Sequence, residues 1–351
     1  MSKIKVLIVD DSALTRSVLT KILNADADIE VIATAIDPIF AAKKIQTVQP
    51  DVITLDLEMP RMDGLSFLKR LMSANPRPVI VISGNSPKSS KNAIKALEYG
   101  AVEIIEKPDI SSPEKLNEVS QHICESIKAA SQTSPKNEMM RTTENDAVSV
   151  QLGEVSSKVC VIGSSTGGPD VLRTIFQKVN RPVPGFVVAQ HMPALFTKSF
   201  AERLNAICQL HVKEAEDGEY IEQGKVLILP GDFHGVIRKD REGNLYIRLI
   251  QSEKVNRHRP SIDVLFDSAA REIKNSVTGI ILTGMGEDGA AGLKKIRNAG
   301  GLTIAQDAES SVVFGMPKRA IEQGAVQYIM NPSEIVGAIN QIKEVKNTTK
   351  Y

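Results

Sequence analysis

Short apolar runs rich in Val and Ile alternate with helical patterns along two stretches of this chain. No other feature limits its fold as strongly. In the first stretch KVLIVDD, EVIATA, DVITLDL, PVIVISG and VEIIEKP are separated by SALTRSVLTKILNA, PIFAAKKIQTV, LSFLKRLMS and NAIKALEYG, and SPEKLNEVSQHICESIK follows. Strands that read as continuous hydrophobic runs, joined through helices, pack as a parallel sheet covered on both faces.

The rhythm resumes at Val159. Strands are expected at KVCVIG, GFVVAQ, KVLILP, VTGIILTG, LTIAQD and VQYIM. Helices are expected at DVLRTIFQKV, FTKSFAERLNAI, SIDVLFDSAAREIK, GAAGLKKIRNA, PKRAIEQG and PSEIVGAINQIKEV. HGVIRKDREGNLYIRLI reads as an antiparallel ribbon with Glu242, Gly243 and Asn244 near its turn. Between the two stretches, Ala129 to Ser157 is rich in Ser, Thr, Asn and charge and lacks periodicity, as a linker does. The 351 residues are enough for two cores. The expected class is α/β, with two doubly wound parallel-sheet domains: a flavodoxin-like domain over 1–127, a linker over 128–157, and a second domain with the ribbon over 158–347.

Composition excludes several functions. A net charge of +1 gives no field to attract nucleic acid or an anionic membrane. Cys124, Cys160 and Cys208 are odd in number and far apart, with no zinc spacing and no disulfide framework, which fits a reducing cytoplasm. The N-terminal run is short and broken by Asp10 and Asp11, unlike a signal peptide, and no apolar stretch is long enough to span a bilayer.

Chemistry gathers at strand ends. Asp10 and Asp11 end the first strand, Asp56 the third, Ser83 the fourth and Lys107 the fifth. In a doubly wound sheet these ends line one crevice. Crowded carboxylates suit a hard cation such as Mg²⁺, and a carboxylate can also accept a phosphoryl group. With D-D, D-x-x-M-P-x-M-D-G, S-G and K-P at successive strand ends, residues 3–125 resemble a two-component receiver domain. The resemblance implies Asp56 as phosphoacceptor, Asp10, Asp11, Asp56 and the Glu58 backbone carbonyl as the Mg²⁺ site, and Ser83 and Lys107 as the switch pair. Where many receivers carry Tyr or Phe, three residues before the lysine, this chain has Ile104.

The second stretch opens with VCVIGSSTGGPD. A Walker A loop would need a lysine where Pro169 stands, and the dinucleotide fingerprint would need glycine where Ser165 stands. Gly163 to Gly167 instead matches G-x-S-x-G on a strand-to-helix turn, which exposes a serine hydroxyl. His191 follows the next strand, 26 positions on. Asp288 follows VTGIILTG and opens a helix, so it reaches the same edge. His258 is the runner-up base and Glu287 the second-choice acid. Backbone N–H groups of Thr166 and of the Gly284-Met285-Gly286 turn could form an oxyanion hole.

GSSTGG, AQHMP, HRPSIDVLF, LTGMGEDG and AQDAESSVVFGMP, in this order after a receiver, closely resemble the chemotaxis-specific protein-glutamate methylesterases. The resemblance implies Ser165 as nucleophile, His191 as general base and Asp288 as orienting acid. It implies glutamate γ-methyl esters on methyl-accepting receptors as substrates, with deamidation of receptor glutamines beside them. It implies a chemotaxis histidine kinase as phosphodonor, no cofactor at the esterase site, and a cytoplasmic location without membrane insertion. The unphosphorylated receiver is expected to obstruct the esterase. The loop of Lys254, Arg257, His258 and Arg259 is a candidate contact for acidic receptor residues. Two rival outputs are weighed against this: a DNA-binding regulator, which would need a basic helix-turn-helix, and a nucleotide-binding domain, which would use the glycine loop for phosphate.

Overall fold

Strands buried on both faces explain the continuous apolar runs. In the computed structural model Val6 to Val9, Val52 to Leu55 and Val159 to Ile162 are almost wholly inaccessible. The structure describes residues 2–60, 63–84, 86–108, 112–133, 156–180 and 182–344. The chain divides into two units, Met1–Thr143 and Glu144–Tyr351.

The first unit has strands β1 (Ile4–Val9), β2 (Ile29–Ala35), β3 (Val52–Leu55), β4 (Val79–Ser83) and β5 (Glu103–Glu106), with helices α1 (Ala13–Ala25), α2 (Pro38–Val48), α3 (Gly64–Ala74), α4 (Pro87–Glu98) and α5 (Pro113–Ser131). The order is β2-β1-β3-β4-β5, all parallel. The first four helices start at side-chain caps, Ser12, Asp37, Asp63 and Ser86, each accepting a backbone N–H that has no partner within its helix. The winding reverses between β1 and β3, which opens a crevice at their C-terminal ends.

The second unit begins with β6 (Ser156–Ser157), β7 (Val159–Ser164), α6 (Gly168–Lys178), β8 (Gly185–Gln190), α7 (Ala194–Ile207), β9 (His211–Glu214) and β10 (Lys225–Ile228). The ribbon β11 (His234–Lys239) and β12 (Leu245–Ile250) follows, then α8 (Ile262–Ile273), β13 (Val277–Ile281), α9 (Ala290–Asn298), β14 (Leu302–Gln306), α10 (Met316–Glu322), β15 (Tyr328–Met330), α11 (Pro332–Gln341) and β16 (Lys343–Glu344). Seven strands form a parallel sheet in the order β15-β14-β13-β7-β8-β10-β9, again reversing beside its first strand, β7. The ribbon is antiparallel, and Gly243 at its tip takes the left-handed φ of 88° that the turn needs. Ile237 and Ile247 of the ribbon share a core with Leu265 and Phe266 of α8 and Val161 of β7.

The two α/β domains and the ribbon agree with the sequence reading; the edges depart from it. His211 begins the edge strand β9, which pairs parallel to β10 and is not among the strands expected from the sequence. Helix α11 stops at Gln341, and Lys343–Glu344 pairs with Ser156–Ser157 inside the stretch read as linker. Helix α5 continues to Ser131, past residue 127. Two-residue strands carry no periodic signal, so the sequence pattern could not announce them. Residues 134–155 of the linker and the boundary at 347 lie outside the described residues. Among the described residues no helix is long and apolar enough to cross a membrane.

Candidate active site

Strand register brings the second site together. β7 and β8 pair with Ser164 opposite Gln190, so the next residues, Ser165 and His191, leave adjacent strands side by side. The His191 N–H donates to Ser164 O at 3.0 Å. On the other flank β13 pairs with β7 as far as Ile281 and Gly163, and the Ser165 N–H donates to Thr283 O at 3.0 Å. Ser165, His191 and Asp288 therefore meet at the edge where the winding reverses.

The serine turn is tight on every side. Gly167 has φ 78°, and a Cβ there would meet Val312 Cβ at 2.5 Å. Ser165, expected to expose its hydroxyl on this turn, is only 6% exposed, and the left-handed φ falls at the flanking Gly167. Ser165 is not among the residues with positive φ, and Gly167 leads into α6. A Cβ at Gly284 would meet Ser165 Cβ at 2.6 Å, so the loop after β13 lies directly against the nucleophile candidate. The Gly284 N–H donates to Val313 O at 3.0 Å, which removes it from the expected oxyanion donors. Met285, next in the chain, stays in that turn, and the Thr166 carbonyl is held by the Thr283 hydroxyl at 3.0 Å.

His191 Nε2 lies 2.9 Å from Asp288 Oδ2, with the two side chains only 5% and 2% exposed. Asp288 also accepts from the Ile262 N–H (2.7 Å), the Ser261 hydroxyl (2.7 Å) and Asn256 Nδ2 (2.8 Å). Ile262 opens α8, so the carboxylate sits at a helix N-terminus, where the dipole favours negative charge. Burial opposes that charge, but the bonds from His191, Asn256 and Ile262 outweigh it and hold the carboxyl well below the usual range. Asp288 thus caps α8 across the fold, whereas α9, the helix that follows it, starts at Gly289 with no side-chain cap. With Nε2 tied to Asp288, the other ring nitrogen, Nδ1, is buried without a hydrogen-bond partner. No hydrogen bond joins the Ser165 hydroxyl to the ring in this structure, a gap common before substrate binds.

Other sequence candidates find different places. His258 is stacked on His191, ring centroids 3.7 Å apart and planes 9° apart. Glu287 is exposed. His234 is fully buried, its Nδ1 accepting from the Ser261 N–H and its Nε2 bonded to Glu253 O, which is a structural role. His122 pairs with Glu103 in the first unit. In the basic loop the Arg259 guanidinium is bound to Asp232 and to Ser252 O, so that cation is already engaged. Sequence reasoning missed Gln190, buried at the end of β8. Its Nε2 donates to Ser165 O (3.0 Å) and His191 O (2.9 Å), and its Oε1 accepts from the Ser164 hydroxyl at 2.6 Å. The available signal was a lone amide closing the apolar run GFVVAQ, since a buried amide must find partners.

At the crevice of the first unit, carboxylate oxygens of Asp10, Asp11 and Asp56 lie within 4.8 Å of one another. Lys107 Nζ sits 2.7 Å from Asp56 Oδ2 and 3.0 Å from Asp10 Oδ2, the second contact close but not aligned as a hydrogen bond. Burial pushes the Asp56 carboxyl up, with Asp10 adding to the effect and Lys107 opposing it. Burial opposes the Lys107 charge, but Asp56 and Asp10 outweigh it and raise its pKa. The buried Ser83 hydroxyl has no partner. Glu58 is exposed, and its N–H donates to Asp56 Oδ1 at 3.1 Å. An oxygen-only donor set with three carboxylates fits a hard divalent cation, and the unpaired Ser83 hydroxyl fits an incoming anionic oxygen. Ile104 is buried within β5.

Comparison with known proteins adds a family. A model described as CheB methylesterase matches residues 160–339, and one described as response regulator receiver domain matches residues 6–119. The chain is 47% identical over 340 residues to a protein-glutamate methylesterase/protein-glutamine glutaminase of Chromohalobacter salexigens, covering 96% of each. It is 45% identical over 342 residues to one of Geobacter metallireducens, covering 94% of this chain and 96% of that one. The crystal structure of the Thermotoga maritima CheB methylesterase catalytic domain is similar with a TM-score of 0.52 at 45% identity, covering 53% of this chain and 99% of that one.

Proposed function

This chain belongs to the CheB methylesterase family and carries a receiver domain ahead of its catalytic domain, and from that premise we propose that Ser165, His191 and Asp288 carry out its chemistry. The protein is a phosphorylation-regulated protein-glutamate methylesterase and protein-glutamine glutaminase. The observation that carries the residue assignment is the buried His191–Asp288 pair, at the strand edge that also presents Ser165.

Ser165 Oγ attacks the γ-carbonyl of a receptor glutamyl methyl ester while His191 Nδ1 takes its proton. Backbone N–H groups of Thr166 and Met285 stabilise the oxyanion. As the intermediate collapses His191 returns the proton to the leaving methoxide, and methanol departs. Water then attacks the glutamyl-serine ester with His191 again as base, restoring Ser165 and a receptor carboxylate. With glutamine, ammonia leaves in the first half instead. Asp288 stays charged throughout, holding the ring and stabilising the imidazolium.

In the receiver, Asp10, Asp11, Asp56 and the Glu58 backbone carbonyl would hold Mg²⁺, which when bound neutralises charge during phosphoryl transfer. Asp56 accepts the phosphoryl group, Lys107 pairs with its oxygens and Ser83 donates to one of them. A chemotaxis histidine kinase is the donor, methyl-accepting receptors are the substrates, and the reaction belongs to the cytoplasm. The receiver restrains the esterase until Asp56 is phosphorylated.

The test is methanol release from methylated receptor by wild type, Ser165→Ala, His191→Ala and Asp288→Asn, each with and without a small phosphodonor and Mg²⁺. Loss of 10³-fold or more is expected for Ser165→Ala and His191→Ala, by analogy with other serine triads. Undiminished release by Ser165→Ala would overturn the chemistry. A catalytic segment no faster than the unphosphorylated full chain would overturn the restraint.

A further inference from the structure

The segment between the ribbon and α8 contains a two-residue turn. Val255 N–H donates to His258 O at 3.2 Å, and His258 N–H donates to Val255 O at 2.9 Å. Its central residues, Asn256 and Arg257, both lie in the left-handed region, with φ of 52° and 67°. Turns of this shape favour Asn or Gly at both positions; Asn256 fits the first, whereas Arg257 pays a conformational cost at the second. Strain of this kind persists where surrounding contacts require it.

Those contacts run to the catalytic pair. One residue before Arg257, Asn256 Nδ2 donates to Asp288 Oδ1 and to Asp263 Oδ2, both at 2.8 Å. One residue after it, the ring of His258 lies flat on the ring of His191. A side-chain amide nitrogen has two hydrogens, so each carboxylate receives one. Asp263 is itself fixed by the Gly292 N–H at 2.6 Å. Its carboxyl is pushed up by burial and by the charge of Asp288, so Asn256 bridges two acids that would otherwise repel each other.

We propose that the Asn256–Arg257 turn is a clip that presets the His191–Asp288 pair. Asn256 acts as the positioning residue for the acid, and the flat ring of His258 acts as the positioning residue for the base. The bridge fixes Asp288 Oδ1 together with the Ser261 hydroxyl, while Oδ2 receives His191 and the Ile262 N–H, and the stack restricts rotation of the imidazole. This rests on the Ser165–His191–Asp288 reading above.

The experiment compares the phosphorylated full-length chain with Asn256→Ala, His258→Ala, His258→Phe and Ser165→Ala. For the variants that keep Ser165, methanol release is normalised to the Ser165 content titrated by a fluorophosphonate, and for Ser165→Ala to folded protein measured by circular dichroism. Asn256→Ala and His258→Ala are expected to lower kcat per titrated site by roughly 10- to 100-fold with KM within about twofold, as for a misplaced catalytic group. His258→Phe, which keeps a flat ring, is expected to recover most of the loss. The proton NMR signal of His191 Nε2–H is expected to shift in Asn256→Ala. Unchanged kcat per site in both alanine variants, or a loss confined to KM, would overturn the clip. An active Ser165→Ala would overturn the catalytic reading itself, so the two failures are distinct.

Discussion

At the scale of single residues, Gln190 shows how much one amide can organise. It holds the carbonyls of Ser165 and His191 and takes the Ser164 hydroxyl as its own donor. A trans peptide points its N–H opposite to its carbonyl. Anchoring Ser165 O therefore also sets the direction of the Thr166 N–H. Gln190→Glu keeps the shape but cannot donate when ionised. It should cost about 1–3 kcal/mol of stability and lower kcat more than it changes KM, measured by calorimetry and methanol release. Asp56 makes the opposite kind of prediction. Burial raises its pKa, so the folded receiver favours the protonated form and its charge is a liability once pH exceeds the ordinary value of 3.8. Asp56→Asn should raise the receiver's melting temperature at neutral pH, and the gain should vanish as pH falls below that value. A lower melting temperature at pH 7 would mean that the Lys107 pairing outweighs the burial.

At the scale of elements, close approach decides the geometry. Gly284→Ala would drive a methyl group into Ser165 Cβ and Met316 Sδ, each 2.6 Å away. We expect a loss of roughly 1–3 kcal/mol from overpacking. A fall in esterase rate of at least tenfold should accompany it, since Ser165 is the group displaced. Thermal melting and methanol release check both.

Much of this layer was legible in the sequence. β7, β8 and β13 are mostly apolar runs, and the residues leaving their ends had to share an edge, so Ser165, His191 and Asp288 could be placed at it. Thr283, Ser261 and Asn256 could not. Their importance depends on which loops cross: Thr283 under the serine turn, Ser261 donating its hydroxyl to Asp288 just before α8, and Asn256 reaching Asp288 across 32 positions. No periodicity encodes such crossings. The sequence pattern places Asp288 at the opening of α9, yet the helix it caps is α8, which precedes it in the chain.

At the scale of the whole molecule, one architectural rule is used twice. Each unit winds outward from its first long strand, β1 or β7, and keeps its polar cluster where the winding reverses. One cluster gathers carboxylates and a lysine. The other gathers a serine, a histidine and a carboxylate. All three cysteines are free, and burial pushes the Cys160 thiol up to about 12, so none of the described chemistry draws on a thiol. If the receiver acts on the esterase through Asp56, Asp56→Asn should keep basal methanol release and lose its response to phosphodonor and Mg²⁺. A response that survived in Asp56→Asn would place the phosphoryl group elsewhere.

The pairing of β6 with β16 has a topological consequence. Ser156 lies beside Lys343, so the esterase unit is entered and left at neighbouring points. A chain whose ends meet can be closed into a ring and opened elsewhere with little loss. A permutant joining the segment after Glu344 to the one before Ser156 through a short glycine-rich bridge, and opened between Glu242 and Gly243 at the exposed ribbon tip, should fold with the far-ultraviolet spectrum of the unpermuted esterase unit. The order in which these strands are synthesised would then be separable from the architecture they build.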